Sequence, residues 1–209
     1  MPDSVPVPDT PAARKRALRA RLRARRRDLD PATRATADHS INEHVLDLAR
    51  SVPQGTVAAF RAFDGEPDLN PALSALARSG RRLALPVLVA TPGAATTRAR
   101  HLEFHAWDVE TDLLTNHFGI DEPHTGRPVS LDEIGLILVP LVGWDPNGGR
   151  LGMGAGYYDR ALAGVADQKY PVRAGIAYSV QRADTLPLET HDVRLHEIIT
   201  EHGRFTCPP

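Results

Sequence analysis

The chain has 209 residues, 42% of them hydrophobic and 24% charged, the balance of a soluble chain that can bury a sizeable core. No run reaches the roughly eighteen consecutive apolar residues of a membrane span, and the opening MPDSVPVPDTP has neither the basic nor the apolar region of a signal peptide. The single cysteine, Cys207, excludes an internal disulfide and a thiolate metal cluster, so the cytoplasm is the expected compartment.

The net charge of −1 conceals a polarised chain. Residues 14–27, RKRALRARLRARRR, hold nine basic side chains and no acid, so residues 1–27 carry +7 against −8 for the rest. Only Lys15 and Lys169 are lysines, which makes a lysine inside a motif conspicuous. One domain spanning 1–209 is expected, with residues 1–10 as a flexible tail. Thr10-Pro11 predicts a helix start, a capping hydroxyl followed by proline in the first turn. Leu18, Leu22 and Leu29 fall near one face of that helix, and the arginines cover the rest as a solvated face. Asp30-Pro31 repeats the start signal for a helix to about Arg50, with Ile41, Val45 and Leu48 as its buried stripe.

Strands and helices then alternate. Residues 56–60 (TVAAF) predict a short buried strand. Asn70-Pro71 caps a helix with Leu73 and Leu76 inward, stopped by Gly80. Residues 83–89 (LALPVLV) predict a strand that Pro86 pushes toward an edge or bulge. A polar loop at 90–98 and a short strand at 101–104 follow. Residues 134–139 (IGLILV) are apolar after Gly135, as suits a parallel strand covered on both faces. Strands at 173–177 and 197–200 complete an α/β three-layer sandwich, with a mainly parallel central sheet and helices on both faces.

After the central strand comes VGWDPNGGRLGMGAGYYDRAL, residues 142–162. A buried strand feeds a glycine-rich loop and then a helix beginning near Tyr157, the place where open α/β sheets bind ligands. Gly148, Gly149, Gly152, Gly154 and Gly156 allow backbone N–H groups to approach an anion closely. Arg150 adds a planar donor fork suited to phosphate. The alternative is a hairpin or flexible loop without a ligand. No GxxxxGK[ST], GxGxxG, GxSxG or HExxH pattern is present. His101 and His105 fall in a strand-like region, and nine histidines give such a spacing by chance. A nucleotide or phosphate loop of another family is what remains.

Asn147 to Arg160, NGGRLGMGAGYYDR, resembles the signature of the 5-formyltetrahydrofolate cyclo-ligase (methenyltetrahydrofolate synthetase) family, G-x-RLG-x-G-x-GYYDR. The resemblance extends over nearly the whole chain. Lys15-Arg16-Ala17-Leu18-Arg19 is similar to the family's K-x-x-LR, and Gly65-Glu66-Pro67-Asp68 to its G-E-V-D. Gly119-Ile120-Asp121-Glu122-Pro123 matches GI-x-EP, and Glu189-Thr190-His191-Asp192 matches the late E-x-HD. The chain departs from the pattern at Ala155, Trp144 and Met153, at Leu69 where Thr is common, and at Val87 where many members carry Arg or Lys.

The resemblance implies a ligase that uses ATP and Mg²⁺ to close 5-formyltetrahydrofolate into 5,10-methenyltetrahydrofolate, with release of ADP and phosphate. A formyl oxygen is a poor leaving group and its carbon a poor electrophile; phosphorylating the oxygen cures both. By the same resemblance Lys15, Arg16 and Arg19 would meet ATP phosphates, with Arg150, Leu151, Gly152, Met153, Gly154, Ala155, Gly156, Tyr157 and Tyr158 on the other side of the nucleotide. Glu66, Phe118, Met153, Gly154, Gly156 and Tyr157 would contact the folate. Asp159 and Asp192 would ligate Mg²⁺, and Arg150, Tyr157 and Asp159 would be catalytic. The expected partners are these two small molecules, with no nucleic acid and no membrane, for a monomeric protein. Two alternatives stay open: a paralogue with a changed substrate on the same ATP-binding scaffold, and a nucleic-acid-binding protein using the Arg-rich helix.

Overall fold

The computed structural model describes residues 10–91, 100–108 and 110–208; most of the expected tail and the loop from 92 on lie outside them. Helix α1 (Pro11–Arg27) begins as predicted, with Thr10 Oγ1 accepting the Ala13 N–H at 3.2 Å. It ends before Leu29, which sits in the turn to α2, so Leu18 and Leu22 alone form its apolar face. Helix α2 (Pro31–Ser51) is capped by Asp30, whose Oδ1 accepts the Ala32 and Thr33 N–H groups at 3.0 Å, and buries Ile41, Val45 and Leu48. Strand β1 (Thr56–Ala58) and helix α3 (Asn70–Arg78) follow. Asn70 does not cap α3: Asp68 Oδ1 accepts the Asn70 N–H at 3.0 Å, while the Asn70 side chain accepts from Arg61. The Ala72 N–H that a capping side chain would take donates instead to Asn42 Oδ1 of α2, at 2.8 Å.

Strands β2 (Leu83–Ala90), β3 (Arg100–Trp107), β4 (Leu113–Thr115), β5 (Asp121–Pro123) and β6 (Pro128–Val129) lead to β7 (Ile134–Pro140). A short hairpin, β8 (Gly143–Trp144) and β9 (Arg150–Leu151), precedes helix α4 (Tyr157–Leu162). Strands β10 (Val172–Ile176), β11 (Glu197–Thr200) and β12 (Gly203–Thr206) complete the chain.

The eight-stranded sheet runs β12-β11-β10-β7-β1-β2-β3-β6. Its five inner strands, β11 to β2, pair in parallel, and antiparallel strands flank them. Along β7, Leu136 and Leu138 pack with α2 and α3, whereas Ile137 and Val139 join the cluster under Leu162 of α4. Both faces are thus covered, as the unbroken apolar run requires, and the predicted α/β sandwich stands. Pro86 follows Ala84, the last β2 residue with a β1 partner, so its missing N–H falls where β3 alone is paired. Helix α1 packs apart from the sheet, with Leu22 against Val142, Leu151 and Leu186. Among the described residues no helix is long and apolar enough to cross a membrane.

Candidate active site

The glycine-rich segment divides into two parts. In the first, a hairpin turns around buried Asp145, whose carboxylate accepts N–H bonds from Asn147 and Gly149 at 2.9 Å and from Leu186 at 3.0 Å. Gly148 has φ +77°, and a Cβ there would lie 2.6 Å from the Leu195 carbonyl oxygen. Gly148 and Gly149 therefore serve the turn, and the plain hairpin alternative holds for this half. Gly152, Gly154 and Gly156 form the second part, which borders a cavity of about 560 Å³ outside the carboxyl ends of β1 and β7.

Each wall of that cavity comes from a different stretch of chain. From α1, Lys15 Nζ lies 2.8 Å from Glu189 Oε1 and 3.3 Å from Asp192 Oδ2. Burial opposes the lysine's charge, but the bonds to these two acids outweigh it and raise the ammonium above its ordinary pKa. One turn on, Arg19 Nε donates to the Gly152 carbonyl at 2.8 Å. On the loop side, buried Arg150 pairs with Asp159 and lies 5.8 Å over the Tyr158 ring. Asp159 also accepts the Val193 N–H at 3.2 Å, and Asp192 accepts that of Glu189 at 2.7 Å.

The opposite wall is less charged. Glu66 Oε2 accepts the Phe63 N–H at 3.2 Å, and burial pushes its carboxyl up to about 7 against the pull of the nearby Arg26. The Tyr158 hydroxyl is buried without a hydrogen-bond partner among the described residues, and desolvation holds the phenol above its usual range. Phe118 stands 46% exposed at the rim, its ring centroid 3.9 Å from that of His117. Pro86, Leu88 and Leu102 form an apolar floor.

Fifteen of the sixteen expected site residues border this one cavity: Lys15, Arg19, Glu66, Phe118, Asp159, Asp192 and the run from Arg150 to Tyr158. Arg16 does not; it is exposed on another face of α1, since positions 15 and 19 share a face and 16 is rotated away. Val87 lies between two floor residues without bordering the cavity, so its departure from the family pattern points away from the site. Trp144 is buried in the hairpin and Leu69 in the core, both as packing groups. Asp159 and Asp192 each hold a cation of the chain, and no group of three or more His, Cys, Asp or Glu side chains among the described residues is arranged for a metal ion.

Three features escaped the sequence. The arginines of α1 are not simply a solvated face: Arg26 is fully buried, and Arg23, Arg26 and Arg27 all bond to Asp64. Their spacing of three and four on one helical face, opposite an Asp-Gly turn, was the available signal. Glu122 Oε1 accepts from the Leu88 N–H at 3.1 Å and from Asn116 Nδ2 at 2.7 Å, which docks the β4–β5 hairpin on the cavity. Glu189 shares Lys15 with Asp192. Both acids lie in matched motifs to which no role was attached. Of the nine basic groups, Lys15, Arg19, Arg23, Arg26 and Arg27 bond within the protein, and Arg26 is enclosed completely.

Comparison with known proteins gives a consistent result. The model of the 5-formyltetrahydrofolate cyclo-ligase family matches residues 11–201. A 5-formyltetrahydrofolate cyclo-ligase of Escherichia coli is 35% identical over 182 residues, covering 86% of this chain and 96% of that one. Its counterpart in Haemophilus influenzae is 30% identical over 188 residues, covering 89% and 97%. The solved structure of Aquifex aeolicus 5,10-methenyltetrahydrofolate synthetase superposes with a TM-score of 0.71 at 27% identity, covering 93% of each chain.

Proposed function

The chain belongs to the 5-formyltetrahydrofolate cyclo-ligase family and is a ligase, and on that premise we propose that it uses ATP and Mg²⁺ to convert 5-formyltetrahydrofolate into 5,10-methenyltetrahydrofolate. The formyl oxygen attacks the γ-phosphorus of ATP and ADP leaves. N10 then attacks the activated formyl carbon, phosphate departs with the oxygen, and N10 loses its proton. Most of the catalysis is positioning and charge neutralisation, as in other phosphoryl transfers.

Lys15 and Arg19 bind the triphosphate from α1. Among the described contacts Arg19 commits only its Nε, to Gly152, which leaves the rest of its fork for phosphate oxygens. Arg150 faces the transferring phosphoryl group, held in orientation by Asp159. Gly152, Gly154 and Gly156 let the backbone approach the nucleotide, and Tyr157 separates it from the folate. Glu66 accepts from N–H donors of the pterin, and Phe118 stacks on an aromatic part of the folate at the rim. Asp159 and Asp192, two hard oxygen donors on the cavity wall, would hold a Mg²⁺, which would supply further neutralisation of the phosphoryl charge. A cytoplasmic monomer completes the proposal.

The observation that supports this reading is the convergence of Lys15, Glu66, Arg150 and Asp192 on one cavity from four separate stretches of chain. The test is methenyltetrahydrofolate absorbance on mixing protein, 5-formyltetrahydrofolate, ATP and Mg²⁺. Product requiring all four components is expected, and folded protein that forms none overturns the proposal.

A further inference from the structure

Arg26 is among the largest side chains in the protein without solvent exposure, and it stands between two acids that it does not treat equally. Its Nη2 donates to Asp64 Oδ2 at 2.8 Å and to the Asp64 carbonyl at 2.9 Å, and its Nη1 donates to the Leu141 carbonyl at 3.2 Å. Glu66 Oε1 lies 3.6 Å from Nη1, beyond hydrogen-bond reach. The only hydrogen bond to the Glu66 carboxylate among the described contacts is the Phe63 N–H on Oε2, so Oε1 carries none, and Glu66 borders the cavity. Asp64 is held from several sides. Arg23 and Arg27 bond its carboxylate, Arg34 Nη1 bonds the next carbonyl, that of Gly65, at 2.7 Å, and Asp64 itself has φ +56°. That left-handed conformation is uncommon outside glycine, although aspartate and asparagine adopt it more readily than other residues.

We infer that Asp64 and Arg26 are positioning residues for Glu66: Asp64 retains the buried guanidinium just short of Glu66, which keeps one carboxylate oxygen open to an N–H donor of the folate. The inference rests on the function proposed above and adds to it the means by which the acid is kept available. Arg26 supplies enough positive potential to keep the buried carboxylate ionisable but does not occupy it. The other charged or titratable groups around Glu66 are Asp64 beside it and the Tyr158 phenol from α4, with Arg150 beyond the Tyr158 ring. With Glu66 titrating at about 7, the open oxygen is a competent acceptor in neutral solution, and small changes at Arg26 alter its charge.

The test is Asp64→Asn in the full chain, because asparagine tolerates the positive φ; Asp64→Gly serves if that variant does not fold. Loss of the Asp64 charge, together with release of Arg26 toward Glu66, both favour the carboxylate. Carboxyl ¹³C NMR of glutamate-labelled, ligand-free protein, with Glu66 assigned from Glu66→Gln, should show its titration midpoint falling by about one unit or more, a tenfold change in the ionisation ratio. Arg27→Gln, which removes an exposed partner of Asp64 and leaves Arg26 in place, should leave the midpoint where it is. At pH 8, where Glu66 is ionised in every variant, Asp64→Asn should raise KM for 5-formyltetrahydrofolate about tenfold and leave KM for ATP unchanged, because Arg26 now covers Oε1. An unmoved midpoint, or equal effects on both KM values, overturns the inference. Because the NMR titration needs no substrate, it decides the point even if wild-type protein were to form no product.

Discussion

Lys15 and Arg19 in the first half of α1 and Arg23, Arg26 and Arg27 in the second come from one run of basic residues, yet they end in different surroundings. The first pair reaches a cavity and meets acids or a carbonyl at its wall, with Glu189 more than half exposed. The second group closes on Asp64, whose side chain is 4% exposed, with Arg26 at 0%. An exposed ion pair contributes little to stability and can be exchanged for a ligand, whereas removing one partner of a buried pair strands a charge. Along one helix the partner separates the two groups: Lys15 and Arg19 meet groups on a cavity wall, whereas Arg23, Arg26 and Arg27 share the enclosed Asp64, although only Arg26 among these three is itself fully buried.

The largest effect expected from this contrast is on stability. Arg26→Ala should cost about 3–5 kcal/mol, since it leaves Glu66 without a cation and Asp64 short of one in a dry site; urea unfolding measures it, and a loss below 1 kcal/mol would erase the difference between the two halves. Acid sharpens the contrast next. Burial alone would raise the Asp64 carboxyl, but Arg23, Arg27 and Arg26 pull it down to about 2 from an ordinary 3.8. A depressed carboxylate contributes stability that is complete above its unfolded pKa and is lost as pH falls through the folded one, so about 2 kcal/mol should disappear between pH 4 and pH 2. Thermal melts across that range should show the loss in wild-type protein, and Asp64→Asn should lack it. The smallest effect falls on the first half. Lys15→Ala should raise KM for ATP about tenfold, near 1.4 kcal/mol, with a smaller loss of unfolding free energy than Arg26→Ala. A large stability loss instead would make Lys15 a structural residue like Arg26.

How far each feature could be read from the sequence follows from the range of the interactions that create it. Strand β7 and helix α2 were legible because apolar periodicity over six or more residues reflects burial directly. The cavity wall was legible because RLG-x-G-x-GYYDR concentrates its chemistry in one short run. The β8–β9 hairpin was legible only as one alternative for the glycine-rich loop, since two-residue strands leave no period and Asp145 looks like any loop acid until Leu186 is folded against it. The Asp64 clasp was hidden for a similar reason: its partners lie 37 to 41 positions away along the chain, and Arg26 differs from its neighbours only in burial. Arg16 fell to the opposite error, a residue inside a motif taken to share the site of its neighbours although the helix turns it aside.

Helix α1 also imposes an order of events on synthesis. It leaves the ribosome before every other described element, but the groups that hold it come much later: Asp64 is 38 residues beyond Arg26, Gly152 is 133 beyond Arg19, and Asp192 is 177 beyond Lys15. At about 5–20 residues per second the helix waits roughly 10–35 s for the last of these partners. Asp64 emerges early in that interval, whereas Gly152 and Asp192 arrive only near its end. The buried clasp can form early and the ligand-facing contacts only near the end, so the cavity closes as one of the final steps in making the protein.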